Sequence, residues 1–357
     1  MSEEAGPASP QGPVASSLAT SLLQLTSEGL YCPVGGFHID PWRPVPRAVV
    51  THAHADHATW GSEHYLVARA GQDVFRVRLG DSAAITTLAY GEAIEHNGVR
   101  VSLHPAGHVL GSGQVRLEYR GEVVVVSGDY KLDADPTCVP FEAVRCDRFI
   151  TESTFGLPIY RWANPRRIIE DINDWWSRNR DQGQASVIYA YALGKAQRIL
   201  AQVDATIGPI VVHGAVERLN RAYRTSGVHL PPTQMVSEWP AKQGFAGALV
   251  VAPPSAQNTP WVRRFAPSSE AVASGWMAVR GIRRRRVVDR GFVLSDHADW
   301  DGLNRAVLAT GAEHVSVTHG YSETFARWLR SRGLDADVVA TRFEGEADEA
   351  AAEEESS

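Results

Sequence analysis

The sequence predicts a mixed α/β protein in which one α/β unit is interrupted by a second, and three observations carry that reading. From about residue 31 to 150, short β-rich runs alternate with turns; from about 160 to 260 the rhythm becomes strand, glycine, helix; beyond about 285, strand–helix alternation returns. Strands alternating with helical patterns point to parallel sheet. A second pattern bracketed by two stretches of α/β character points to an insertion, near 155–285.

The elements follow in order. Arg47–Thr51, Val99–His104, Gln114–Tyr119 and Glu122–Ser127 are β-rich, with Arg120-Gly121 as a hairpin turn, and Arg148–Thr151 adds another strand. In the middle region Ala185–Ala190 is a strand followed by a helical pattern at Lys195–Val203. Pro209–His213 precedes a helix at Val216–Thr225, and Gly247–Ala252 is a third buried-type strand. The closing region reads as a strand Gly291–Ser295, a helix Asp299–Ala309, a strand His314–Thr318 and a helix Ser322–Arg332.

Composition narrows the function classes. Hydrophobic residues make up 44% and charged residues 21% of 357, enough apolar material for a sizeable core. No run of 18 apolar residues occurs, so a membrane-spanning helix and a membrane role are not expected. The first twenty residues lack the basic start and apolar stretch of a secretory signal. Cys32, Cys138 and Cys146 fit neither a disulfide framework nor a CxxC zinc spacing, and the expected setting is the reducing cytoplasm. The net charge of −6 is concentrated at the ends: seven acids between Glu344 and Glu355, and Glu3 with Glu4. Without these nine the remainder is near +3, which permits a polyanionic partner without demanding one. Residues 1–17 and the acidic stretch 344–357 read as disordered tails.

The most informative stretch is Thr51-His52-Ala53-His54-Ala55-Asp56-His57, which directly follows an apolar strand. HxHxDH puts three imidazoles and a carboxylate into six residues, close enough to converge on metal from one loop. Imidazole and carboxylate without thiolate suit zinc and its neighbours in open, catalytic sites. Four further candidates lie near strand ends: His108 in PAGHVLGS, Asp129 in SGDY, His319 in THG, and Asp40, which precedes the histidine loop in HIDPW.

The series Asp40, HxHxDH, His108, Asp129 resembles the ordered motifs of the metallo-β-lactamase fold, an αββα sandwich. Glu152 in TESTFG, His297 in SDHAD and His319 resemble three further motifs of its β-CASP nuclease branch, and the inserted α/β segment falls where that branch carries its β-CASP domain. The phrases YCPVGGFHIDPWRP, SGDYK, TESTFGLPIYRW and LSDHADWDGL resemble the bacterial ligase-associated DNA exonuclease family, over about residues 28–342. The resemblance implies a metallo-β-lactamase unit in two parts, 18–155 and 286–343, around a β-CASP insertion at 156–285.

It further implies two divalent metal ions, Zn²⁺ above all with Mn²⁺ as an alternative. His52, His54 and His108 would hold one, Asp56, His57 and His319 the other, and Asp129 would bridge them. A pair of ions about 3.5–4 Å apart acidifies a shared water and clamps phosphate oxygens during in-line displacement. Asp40 would orient a ligand histidine through its other ring nitrogen. His297 would be the general acid for the leaving 3′-oxygen, oriented by Glu152. The implied activity is metal-dependent DNA exonuclease action in DNA repair, with an ATP-dependent DNA ligase and a helicase as partners. RNA is the alternative polymer, since RNA-processing relatives keep a histidine where His319 stands and DNA-processing ones commonly do not.

Weaker candidates stay open between two readings. Ala192–Lys195 could present backbone N–H groups and an ammonium to phosphate, or be an ordinary helix start. The run Arg283–Arg286 could touch phosphates or be solvated. Trp175-Trp176 reads as core rather than a base-stacking platform, His104 as packing, and His38 as sharing a strand face with Asp40. His64, His96, His213, His229 and His314 are given no role.

Overall fold

The computed structural model describes residues 22–240, 243–281 and 288–341. The expected tails at 1–17 and 344–357 and the Arg283–Arg286 run lie outside the described residues.

The first sheet is built from Gln24–Thr26 (β1), Gly29–Cys32 (β2), Phe37–Ile39 (β3), Arg47–Val49 (β4), His64–Ala68 (β5) and Ile85–Leu88 (β6), neighbours in that order. It begins as an antiparallel meander and becomes parallel from β3 onward. Next come Ala93–His96 (β7), Val99–Pro105 (β8), Gly113–Tyr119 (β9), Glu122–Val126 (β10) and Arg148–Glu152 (β11). Arg120 and Gly121 both take positive φ (50° and 87°), the two-residue hairpin geometry that matches the strand twist.

A third sheet follows from Ala185–Tyr189 (β12), Ile210–Val212 (β13), Gln234–Met235 (β14), Leu249–Ala252 (β15), Ser268–Ala273 (β16) and Arg290–Phe292 (β17). Its order is β14-β13-β15-β12-β16-β17 and every pairing is parallel. Finally His314–Thr318 (β18) and Asp335–Val338 (β19) return to the second sheet, whose order is β19-β18-β11-β10-β9-β8-β7.

The first two sheets face one another across a core of Phe37, Ile39, Val49, Leu103, Val115, Val124, Val126 and Ile150. On the far side of the second sheet Val125, Phe149, Val315 and Val317 pack under the helices Trp300–Thr310 and Ser322–Ser331. The far side of the first sheet meets helix Gln72–Leu79, and the same core continues into the third sheet through Ile188, Val212 and Val251. The unbroken run Val123–Val126 is thus explained: alternate residues of β10 are buried on opposite faces. Trp175 and Trp176 are core, their indole N–H groups donating to Ser269 Oγ (3.1 Å) and the Gly247 carbonyl (2.9 Å).

One boundary needs correcting. The expected strand Gly291–Ser295 is Arg290–Phe292, and it pairs with Ala271–Ala273 of β16. The third sheet therefore runs past residue 285 to Phe292, because this parallel register places the strand at its edge. No described helix is long and apolar enough to cross a membrane.

Candidate metal centre

The candidate residues come from loops that leave the carboxyl ends of strands. β10, β11 and β18 are parallel neighbours, so Asp129, Glu152 and His319 emerge side by side. The loop after β4 brings His52–His57, the turn after β8 brings His108, and the segment after β17 brings His297 from the third sheet. Two glycines permit the close approaches. Gly128 sits at φ 54° and a Cβ there would stand 2.5 Å from Thr51 Oγ1; Gly320 sits at φ 68° and a Cβ would meet Thr154 Cα at 2.5 Å. Asp40 (φ 45°) and His319 (φ 51°) adopt left-handed backbone without being glycine, a strain found most often at functional positions.

Hydrogen-bond accounting fixes how the imidazoles point. His57 Nδ1 donates to Asp40 Oδ2 at 2.7 Å. His52 Nδ1 faces Thr51 Oγ1 at 3.1 Å, and that hydroxyl gives its own proton to Asp40 Oδ2 at 2.6 Å. His108 Nδ1 donates to the Asp296 carbonyl at 2.8 Å, and His54 Nε2 to the Leu193 carbonyl at 3.3 Å. A neutral imidazole carries one proton, and in His52, His54 and His108 the outward nitrogen takes it. Burial keeps these rings neutral, holding His52 and His108 well below the usual histidine range and His54 down at about 4.

The inward nitrogens therefore carry lone pairs, and they crowd together. His54 Nδ1 lies 3.1 Å from both His52 Nε2 and His108 Nε2. Lone pairs at that separation repel unless a cation lies among them. Nitrogens bound tetrahedrally to zinc at about 2.0–2.1 Å would stand about 3.3 Å apart, so the set fits such an ion. Asp129 completes a buried group with His52, His54 and His108.

A second group, His52, Asp56 and His57, lies beside the first. Asp129 Oδ2 is 3.5 Å from His52 Nε2 and 3.5 Å from His57 Nε2, between the two groups. Burial works against a charged His57, yet Asp56, Asp129 and Asp40 outweigh it and hold the ring well above its ordinary pKa. Burial likewise lifts the Asp129 carboxyl to about 7, with His57 opposing and Glu152 reinforcing. The electrostatic demand is for positive charge. Asp56 Oδ1 is buried with no hydrogen-bond partner, the condition of a lone pair that a cation would satisfy, and His57 Nε2 beside it has none either.

His319 sits with its ring 5.4 Å from that of His57 and is lowered to about 4, chiefly by burial. It lies outside the tightest groups among the described residues, the second of which is His52, Asp56 and His57. Glu152 and His297 are in contact: His297 Nδ1 lies 3.0 and 3.2 Å from the two Glu152 oxygens, and Tyr130 N–H donates to Glu152 Oε1 at 2.8 Å. Burial opposes the Glu152 charge, but His297 holds its pKa below the ordinary value. Asp129, Glu152 and His297 form a third buried group.

Sequence reasoning missed Thr51, the Leu193 and Asp296 carbonyls, and Arg198, whose Nη1 donates to the Ser295 carbonyl. Leu193 and Asp296 stand inside quoted motifs, but a carbonyl leaves no trace in residue identity. Of the weaker candidates, Lys195 is buried with its ammonium over the Tyr191 ring, and the Gly194 N–H is taken by Gln197 Oε1 at 2.8 Å. His38 packs on Tyr31, not beside Asp40, because β3 ends at Ile39 and Asp40 turns away. His104 bonds Glu142.

The chain is 32% identical over 316 residues to a probable DNA ligase of Opitutus terrae, a match covering 88% of this chain and 30% of that one. It is 32% identical over 124 residues to cleavage and polyadenylation specificity factor subunit 3 of Dictyostelium discoideum, covering 34% and 16%. An RNase J-like protein of Methanocaldococcus jannaschii is 25% identical over 189 residues, covering 45% and 44%. The chain thus spans less than half the length of each of these relatives. No family model matches the chain. Among solved structures, a protein of unknown function from Enterococcus faecalis matches with a TM-score of 0.55 at 11% identity, over 84% of this chain and 80% of that one, a likeness of fold alone.

Proposed function

We propose that this chain is a metal-dependent nuclease of the metallo-β-lactamase fold with a β-CASP insertion, and that it degrades DNA from an end in repair. One observation carries the metal dependence: the lone-pair nitrogen of His54 lies 3.1 Å from those of both His52 and His108, with Asp129 between them and His57. The nuclease reading is supported by the similarity to a polyadenylation specificity factor subunit and an RNase J-like protein. The DNA reading, and a ligase as partner, are supported by similarity along 88% of the chain to a probable DNA ligase. On this reading the sandwich of the first two sheets is the metallo-β-lactamase unit, and the segment from 156 through β17 is the insertion. A helicase partner and a cytoplasmic setting belong to the same reading.

His52, His54 and His108 would hold one divalent ion and Asp56, His57 and His319 a second, with Asp129 between. Such ions, Zn²⁺ or Mn²⁺, supply Lewis-acid stabilisation of phosphate oxygens and a more acidic water. The chain's own part is to orient and to move protons. Asp40 fixes His57 directly and His52 through Thr51, so one carboxylate orders both groups. Glu152 accepts a hydrogen bond from His297 Nδ1–H, which orients the ring. The proton that His297 gives to the leaving 3′-oxygen is then the one on Nε2.

RNA as the polymer is the second reading, favoured by His319 and by the RNase J-like relative. Both are tested by digesting 5′- and 3′-labelled single-stranded DNA and matched RNA with metal-stripped protein resupplied with Zn²⁺ or Mn²⁺. Stepwise loss of DNA with RNA spared is expected, and the label released first gives polarity. Preferential or internal cleavage of RNA would overturn the DNA reading, and no cleavage of either would overturn the nuclease.

A further inference from the structure

A second buried polar cluster abuts the metal centre and has no part in the chemistry above. Lys131, Asp135, Arg198 and Asp296 are all buried, two cations against two carboxylates. Lys131 Nζ donates to Asp135 Oδ2 at 2.7 Å, and Arg198 Nε stands 3.3 Å from the same oxygen. The backbone N–H and hydroxyl of Thr137 donate to Asp135 Oδ1 at 2.9 and 2.6 Å. Burial works against this carboxylate, yet Lys131 and Arg198 hold its pKa down to about 2. Asp135 is thereby a fixed anchor for the guanidinium.

The other end of Arg198 reaches the segment leaving β17. Nη1 donates to the Ser295 carbonyl and lies 3.4 Å from Asp296 Oδ1. In that segment Ser295 Oγ accepts the His297 N–H at 3.1 Å, and the Asp296 carbonyl accepts from His108 Nδ1 at 2.8 Å. Three consecutive residues thus hold a cation's grip, the acceptor that orients one metal-facing histidine, and the histidine paired with Glu152. Arg198 itself belongs to the helix Lys195–Leu200, which follows β12 of the third sheet. It ties that sheet to the loop on which both reactive histidines depend.

We propose that Arg198 is a positioning residue: anchored on Asp135, it holds the Ser295–His297 segment so that the Asp296 carbonyl orients His108 and His297 meets Glu152. A lysine could make one of these contacts but not the planar fork that spans them. The catalytic half of this inference rests on the nuclease reading; the metal-affinity half does not.

The test uses the full chain carrying Arg198→Gln, Arg198→Lys or Asp135→Asn, with folding checked by circular dichroism. Zn²⁺ affinity is measured by chelator competition, and kcat and KM on the labelled oligonucleotide that the wild type degrades. Loss of a group that orients a ligand histidine should weaken Zn²⁺ binding about 10–100-fold and lower kcat of the metal-saturated protein by a similar factor. KM should hardly change, and Arg198→Lys should recover only part of the loss. Wild-type affinity and kcat in folded Arg198→Gln would overturn the proposal, as would a raised KM at unchanged kcat, which would mark a substrate contact. Should Arg198→Gln not fold, Arg198→Lys decides by the same two readouts. If the wild type degrades no nucleic acid, the nuclease reading fails, while chelator competition still decides what Arg198 does.

Discussion

The molecule holds two buried polar clusters side by side, and they solve burial in opposite ways. The Lys131–Asp135–Arg198–Asp296 cluster is balanced in charge: each charge faces an opposite charge within 2.7–3.4 Å, although Arg198 Nε makes no hydrogen bond. The histidine cluster is ordered outward but left unresolved inward. His52, His54, His57 and His108 each spend their outer nitrogen on an oxygen, while the inner nitrogens crowd one another and Asp56 Oδ1 and His57 Nε2 have no hydrogen-bond partner. A buried network whose opposite charges offset one another supports the fold; one whose lone pairs converge without a proton between them is suited to receive a cation. The contrast is the reason to propose the histidine cluster as the site and the ion-pair cluster as its support.

That contrast breaks most visibly at Asp129. Asp129→Asn should abolish hydrolysis and sharply reduce bound metal, because this carboxylate lies 3.5 Å from both His52 Nε2 and His57 Nε2. Near-wild-type digestion with full metal content would show that it bridges nothing.

His297 separates chemistry from metal holding within the same site. His297→Ala should cost about 10²–10⁴-fold in kcat, the range of a lost general acid, while both ions stay bound. Measured metal content decides this: if an ion leaves with the side chain, His297 is a ligand and the third buried group is a metal site in its own right.

For the supporting cluster the readout is stability. Asp135→Ala leaves Lys131 and Arg198 buried without their shared carboxylate, and breaking such a pair costs about 3–5 kcal/mol. Urea unfolding at pH 7 measures it; a loss within error of zero would mean that the cluster is solvated enough to need no pairing.

Acid should then discriminate the two clusters. His54 and His319 have folded pKa values of about 4, below the ordinary 6.5. The unfolded chain therefore takes up protons there that the folded chain does not, and stability falls as pH drops from about 6.5 toward 4. His52 and His108 add to the same trend. His57, raised by its carboxylates, and Asp129, raised to about 7, pull the other way. Asp135 contributes nothing in that window; its stabilisation is present above about 3.8 and is lost toward pH 2. Chemical denaturation of the metal-free protein at pH 7, 5.5 and 4.5 should show falling stability, and Asp135→Asn should leave that slope unaltered. A flat profile would mean that the lowered histidines do not outweigh His57 and Asp129.

Much of this arrangement was legible from residue types and spacing alone. HxHxDH concentrates its donors in one loop, so no long-range fold is needed to bring them together. The β-rich run Glu122–Ser127 reads as a strand and Arg120-Gly121 as the hairpin turn before it, and in the fold both turn residues take positive φ. The alternation at 185–252 announced parallel sheet, since a helix is the ordinary way back to a parallel strand.

What the chain could not reveal locally depended on partners distant in sequence. β17 reads as part of the closing region, and only its register with Ala271–Ala273 assigns it to the third sheet. The acceptors that orient His54 and His108 are the carbonyls of Leu193 and Asp296, 139 and 188 residues away, and every residue has a carbonyl. Arg198 reads as an unremarkable helical cation until folding sets it between Asp135 and Ser295. Sequence determined which groups can bind and titrate, because that chemistry resides in the side chains. Tertiary structure decided which nitrogen faces inward, because orientation resides in hydrogen bonds whose partners only the fold brings within reach.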